Sequence, residues 1–227
     1  MSNGQIKQTR PLTNFQIYTM ETYLDMENWN RKDHFHFFNE FEEPFWGVTV
    51  EIDCTKAYAK AKEANVSFFL WYLYNSIKAV NQIPEFKYRI DVQNRVVIHG
   101  TICASPTINR PNGTFGFSYI DFNEDFETFQ EEAQKEIKRV QNARDLMPAK
   151  NSDAVVHYSS LPWLNFTSFS HARKYSHKDS VPKISFGKMT EMDGKRTMPV
   201  SIHVHHGLVD GIHMGKYVEL FQQFMNE

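Results

Sequence analysis

The stretch "MPVSIHVHHGLVDGIHMGKY", residues 198–217, reads as a strand, a turn and the start of a helix. Met198, Val200, Ile202 and Val204 alternate with their neighbours, the two-residue period of a strand with one apolar face. His203 and His205 fall on the opposite face, so His206 stands on the apolar side or where the strand ends. Gly207 and Gly211 bracket a tight turn. Beyond it Met214, Val218, Phe221 and Met225 form one stripe at helical spacing.

The same two periods recur along the chain. "FWGVTVEID" (45–53) puts Trp46, Val48, Val50 and Ile52 on one strand face, and Asp53 or Thr55 then opens a polar helix carrying Tyr58 and Ala61. Ser67 caps a second helix with Phe69, Leu73, Ile77 and Val80 in helical register, stopping at Pro84. Short strands are expected in "FKYRI" (86–90), "RVVIHG" (95–100) and "TFGFSYIDF" (114–122). A third helix within 124–144 buries Phe126, Phe129, Ala133, Ile137 and Val140. Strands return in "DAVVHYSSL" (153–161) and across 183–206, where Asp193-Gly194 forms a hairpin turn. Strands alternating with a few long helices predict an α/β (α+β) fold, a mixed β-sheet covered by helices. No repeat or linker divides residues 1–227, so a single domain is expected.

Composition narrows the partners. Aromatic residues make up 15% of the chain, which argues against disorder, and the net charge of −2 argues against nucleic acid as the main partner. The first thirty residues lack an apolar signal region and no window approaches eighteen apolar residues, so neither secretion nor membrane insertion is expected. Cys54 and Cys103 are the only cysteines and form no CxxC, which fits a reducing cytoplasm.

Four of the ten histidines lie within residues 203–213. A metal site needs three or four converging ligands, and no Cys or carboxylate stands at ligand spacing from His203 and His205, so no metal is expected. There is no GxSxG for a serine nucleophile, and no phosphate-loop or dinucleotide glycine pattern. Two readings remain open. The histidines are half-exposed strand residues with satisfied hydrogen bonds, or one is a general base without a covalent nucleophile, suited to direct transfer between two bound substrates.

"HHGLVDG" (205–211) fits the HHxxxDG motif of chloramphenicol acetyltransferases, shared with the catalytic domains of dihydrolipoamide acyltransferases. "NWNRKDHFHFF" (28–38), "VNQIPEFKYRI" (80–90), "NGTFGFSY" (112–119) and "SSLPWLNFTSF" (159–169) look like further landmarks of the chloramphenicol acetyltransferases, in the same order over about residues 15–225. The chain therefore resembles that family. The resemblance implies a CoA-dependent acyltransferase fold, acetyl-CoA as co-substrate, a small-molecule hydroxyl acceptor, and a homotrimer with each site between neighbouring subunits. It implies no metal. It makes His206 the general base, with its other ring nitrogen bonded to a backbone carbonyl, and His205 the non-catalytic member of the pair. Asp210 would pair with Arg31 as support for the histidine turn. Ser159 would stabilise the oxyanion formed from acetyl-CoA, and Ser185 stands where the family has a threonine holding a water at the same intermediate.

On the acceptor side the resemblance assigns Phe37, Phe38, Phe115 and Phe169 to the pocket, Phe38 standing where a tyrosine is common. The segment "SHARKYSHKDSVPK" (170–183) departs further, with His171, Arg173, Asp179 and Lys183 at or near positions expected to be apolar. Either this loop lines the pocket and the acceptor is more polar than chloramphenicol, or it is displaced into solvent; an unpaired charge buried against an apolar ring would cost several kcal/mol. A dihydrolipoamide acyltransferase catalytic domain is the alternative, although no lipoyl domain, Ala/Pro linker or peripheral-subunit-binding segment is recognisable. A non-catalytic small-molecule binder is a third reading, disfavoured by the set His206, Asp210, Arg31 and Ser159.

Overall fold

The strand read from residues 198–206 spans Lys195–His205 and lies between two other strands, so it is central rather than peripheral. The computed structural model describes residues 22–147, 149–176 and 178–227. In chain order its elements are β1 (Thr22–Tyr23), α1 (Lys32–Asn39), β2 (Phe45–Asp53), α2 (Thr55–Glu63), α3 (Phe68–Asn81), β3 (Tyr88–Ile90), β4 (Val96–Ile98) and β5 (Cys103–Asn109). There follow β6 (Phe115–Phe117), α4 (Phe126–Asn142), β7 (Val155–Ser160), β8 (Lys183–Phe186), β9 (Thr190–Met192), β10 (Lys195–His205) and α5 (Gly211–Asn226).

Seven strands form one sheet in the order β2-β10-β8-β7-β5-β6, with β9 paired to the start of β10. The sheet is mixed: β7 runs parallel to both β5 and β8, and the remaining pairs are antiparallel. A small sheet, β1-β4-β3, stands apart. One face of the main sheet is the core. Val200, Ile202 and Val204 of β10, Ile184 and Phe186 of β8, and Val156 and Tyr158 of β7 pack there against α3 and α5. Each such side chain contributes about 1.5–3 kcal/mol by leaving water. The Ser76 hydroxyl on α3 lies 2.9 Å from the Tyr158 hydroxyl and 2.7 Å from that of Tyr217, so the polar groups buried between α3, β7 and α5 satisfy one another.

The other face is polar, and cross-strand register sorts it into rows. Thr49, Ser201, Ser185 and Ser159 are aligned across β2, β10, β8 and β7. Gly47, His203, Lys183 and His157 form the next row. Two residues along a strand separate the rows by about 7 Å.

Several local expectations are revised. Pro84–Lys87 is a 3-10 turn, leaving only Tyr88–Ile90 as strand, because Pro84 opens a helical turn readily and cannot donate to a ladder. β5, "CASPTIN", is unanticipated: Ser105, Pro106 and Thr107 mask a strand that is nonetheless buried beside β7. α1 is also unanticipated, since only Phe35 and Asn39 on it are buried and "HFHFF" shows no helical period. On α5 Tyr217 is fully buried and Val218 only partly. The hairpin at Asp193-Gly194 forms as expected, with φ of 51° and 77°. Arg89 is fully buried, donating to the carbonyls of Phe86, Tyr88, Asp153 and Val155, and so tying β3 to the start of β7.

Candidate active site

β10 ends at His205, and His206 is the first residue of the turn that follows. Both backbone groups of His206 are held: its N–H donates to Pro44 O at 2.9 Å, and its carbonyl accepts from Arg31 Nη2 at 2.9 Å. Arg31 Nη1 also donates to Asp210 Oδ2 at 2.6 Å, forming the ion pair expected from the resemblance. The Arg31 side chain is 14% exposed, so the pair is partly shielded from water and is more than surface decoration. Asp210 in turn caps α5, accepting from Gly211 N at 2.7 Å, while its own N–H donates to His213 Nδ1 at 3.0 Å. The Gly211 N–H and the Arg31 guanidinium hold the Asp210 carboxyl below its usual range. One guanidinium therefore ties α1, the His206 peptide and the N-terminus of α5 together.

The His206 ring is positioned by packing. Phe38 stacks on it with centroids 3.9 Å apart and planes 21° off parallel, and Trp46 lies at 5.1 Å. Trp46 is fixed by its own hydrogen bond from Nε1 to Val209 O, 3.1 Å. The implied bond from the other ring nitrogen to a backbone carbonyl does not form. Nδ1 is buried and has no hydrogen-bond partner among the described residues. Its own carbonyl faces Arg31, and aromatic faces flank the ring, so stacking replaces hydrogen bonding as the orienting contact. His205 differs in every respect. It is 3% exposed, its Nδ1 accepts from Gly207 N at 3.2 Å, and burial pushes its pKa down to about 4. With Nδ1 occupied and the proton on Nε2, His205 has no free lone pair with which to act as a base.

Ser159 and Ser185 are neighbours in the hydroxyl row of the polar sheet face. Ser185 Oγ is buried and has no hydrogen-bond partner among the described residues, while Ser201 Oγ sits 3.3 Å from His203 Nδ1. Within one chain this row does not meet His206. Ser159 lies two strands from Ser201, and His206 lies five residues beyond Ser201, which together place Ser159 and His206 roughly 19 Å apart.

The acceptor aromatics are likewise divided. Phe37 packs edge-on against Phe38 and Phe41, each at 5.1 Å, and is 62% exposed. Phe115 sits on the edge strand β6 beside Phe117, and Phe169 lies between Phe166 and His171. Two charges of the polar segment, Arg173 and Lys183, are not displaced into solvent, although Ala172, Lys174, Tyr175, Ser176 and Lys178 are exposed. Arg173 stacks over Phe45 at 3.6 Å and pairs with Glu43 at 2.6 Å, and Lys183 pairs with Asp179 at 2.5 Å. Their side chains are 11% and 10% exposed. Each charge expected to be stranded has a carboxylate partner.

A family model described as chloramphenicol acetyltransferase matches residues 19–222. The chain belongs to the chloramphenicol acetyltransferase family. It is 31% identical over 196 residues to a chloramphenicol acetyltransferase of Bacillus pumilus, covering 85% of this chain and 88% of that one. A second, from Clostridium perfringens, is 25% identical over 202 residues, covering 88% and 92%. A solved chloramphenicol acetyltransferase structure superposes with a TM-score of 0.83 at 34% identity, covering 91% of this chain and all of that one. The truncated catalytic core of a 2-oxoacid dehydrogenase complex from Thermoplasma acidophilum shares the fold, with a TM-score of 0.65 at 16% identity, covering 87% and 95%.

Family membership makes the protein an acyltransferase with acetyl-CoA as co-substrate and a small-molecule acceptor. Among the described residues no three His, Cys, Asp or Glu side chains are placed to hold a metal ion. No described helix is long and apolar enough to cross a membrane. Sequence reasoning missed Trp46 and His213 at this site. Trp46 reads simply as an apolar strand position, and its contact with the turn after β10 depends on β2 pairing there. His213 shows one weak signal, its place three residues after the capping aspartate.

Proposed function

We propose that the protein transfers the acetyl group of acetyl-CoA directly to a hydroxyl of a small acceptor, with His206 as general base and Ser159 as oxyanion donor. The observation that carries this reading is the contrast within the histidine pair: His206 has a fixed peptide and a stacked ring that makes no hydrogen bond among the described residues, while His205 is buried with its lone pair occupied. His206 Nε2 takes the proton as the acceptor oxygen attacks the thioester carbonyl. The oxygen of the tetrahedral intermediate accepts a hydrogen bond from Ser159, and Ser185, whose hydroxyl has no partner among the described residues, supports a water there. Collapse expels the CoA thiolate, which takes the proton from the imidazolium. A thioester is already activated, so proximity, a base and an oxyanion donor suffice.

The separation of roughly 19 Å between Ser159 and His206 favours a site shared by two chains. His206 of one copy would face Ser159 of the next, and a closed ring of three copies, a homotrimer, makes three equivalent sites. The exposed Phe37 and Phe115 fit walls that a neighbouring copy completes. Both cysteines are buried free thiols, which fits a cytoplasmic protein. The likeness to 2-oxoacid dehydrogenase cores extends to the fold alone and does not favour dihydrolipoamide as acceptor.

Direct transfer predicts intersecting lines in two-substrate kinetics of CoA release, because both substrates are bound together. No acetyl group remains on the denatured protein. Parallel lines, or labelled acetyl retained on the chain, contradict the mechanism.

A further inference from the structure

The polar sheet face carries a cavity of about 330 Å³ between the loop around residues 170–175 and strands β2, β10 and β8. Glu43, His171, Arg173, Lys183 and His203 line it together with the aromatic Phe45 and Trp46. The His203 ring lies flat over Gly47, where a Cβ would come within 2.5 Å of the imidazole, so glycine is what allows His203 onto this surface. His171 meets the His203 ring edge-on at 5.1 Å.

We propose that the acceptor is a neutral, polyhydroxylated small molecule of the sugar or polyol type, bound in this cavity; the proposal rests on the acetyltransferase reading above and names its substrate class. Position is the first support. Lys183 stands one row from Ser185 on the same strand, about 7 Å away, and His203 lies beside Lys183 on β10, about 12 Å from Ser159. An acceptor whose hydroxyl reacts at Ser159 therefore extends its other substituents over Lys183 and His203.

Charge is the second support. The two cations are balanced by two carboxylates, Arg173 with Glu43 at 2.6 Å and Lys183 with Asp179 at 2.5 Å. An anionic acceptor would have to displace or lie beside a carboxylate, and a cationic one would face the same conflict with Arg173 and Lys183. A neutral molecule meets no net field.

Unspent hydrogen-bonding capacity is the third. His171 Nε2 is buried without a partner among the described residues, and Arg173 spends one of its five N–H groups on Glu43. Burial, with His203 and Lys183 nearby, pushes the His171 pKa down to about 4, and burial lowers that of His203 as well. Both rings are neutral at pH 7; His203 Nδ1 is engaged with Ser201 Oγ, so the uncommitted groups are His171 Nε2 and the remaining N–H groups of Arg173, which match the oxygens and hydroxyls of a neutral polyol. The nitrophenyl ring of chloramphenicol placed here would leave these groups desolvated and unpaired.

CoA release by the wild-type protein, with methyl glucoside, its uronic acid, its 2-amino analogue and chloramphenicol as acceptors, tests this directly. The neutral glycoside is expected to show a kcat/KM at least about tenfold above each of the other three, the penalty of an unmatched buried polar or charged contact. His171→Leu is expected to shift the glycoside-to-chloramphenicol ratio towards chloramphenicol. Preference for chloramphenicol or for a charged analogue, or an unchanged ratio in a folded His171→Leu protein, overturns the inference and leaves the acetyltransferase reading standing. Failure of all four acceptors to release CoA overturns both. If His171→Leu does not fold, the wild-type ranking alone decides.

Discussion

Alanine at His206 is expected to lower kcat/KM by about 10²–10⁴-fold, the range for loss of a general base. That corresponds to about 3–5 kcal/mol of transition-state stabilisation. The fold should survive, because the ring lies in the turn after β10 and the backbone bonds to Pro44 and Arg31 do not involve it. His205→Ala is the informative control. Its ring packs edge-on against Phe45 and receives the Gly207 N–H, so its removal is expected to lower thermal stability while turnover per folded chain is largely kept. Steady-state rates and melting temperatures of the two variants, measured side by side, separate the roles. An active His206→Ala enzyme beside an inactive, stably folded His205→Ala enzyme would reverse the assignment.

Ser159→Ala is expected to reduce kcat by about 10²–10³-fold with KM little changed, since an oxyanion donor acts on charge that develops only in the transition state. The serine is half-buried in β7 and its loss leaves no large void, so the variant should melt close to the parent. A rise in KM at constant kcat would make Ser159 a ground-state contact instead.

How far the sequence alone reaches differs from element to element. The core face of β10 and the stripe of α5 follow from spacing, because burying one face imposes a period. β5 does not, because a strand buried on both faces and carrying Ser-Pro-Thr shows no alternation. For the adjacent histidines the two-residue period leaves His206 on the apolar side or at the strand end, and the choice of His206 over His205 comes from the family resemblance; the structure adds that the strand ends between them. The Arg31–Asp210 pair spans 179 residues and came into view only through family resemblance. The polar rows lay beyond reach for a related reason. Ser159, Ser185 and Ser201 are aligned by strand order β7-β8-β10, and strand order is a property of packing that no local pattern encodes. The same holds for the charged loop. Arg173 and Lys183 look like stranded charges until Glu43 and Asp179 are found beside them.

One acetyl transfer is expected to use His206 of one chain and Ser159 of another. Co-expression of His206→Ala and Ser159→Ala chains carrying different tags, followed by purification of mixed assemblies through both tags, tests it most directly. Each parent is nearly inactive alone. In a mixed trimer of either composition one of the three shared sites combines an intact His206 with an intact Ser159, so turnover should recover to about a third of wild type. Mixed assemblies that stay as inactive as their parents would place both residues in a single chain and contradict the account.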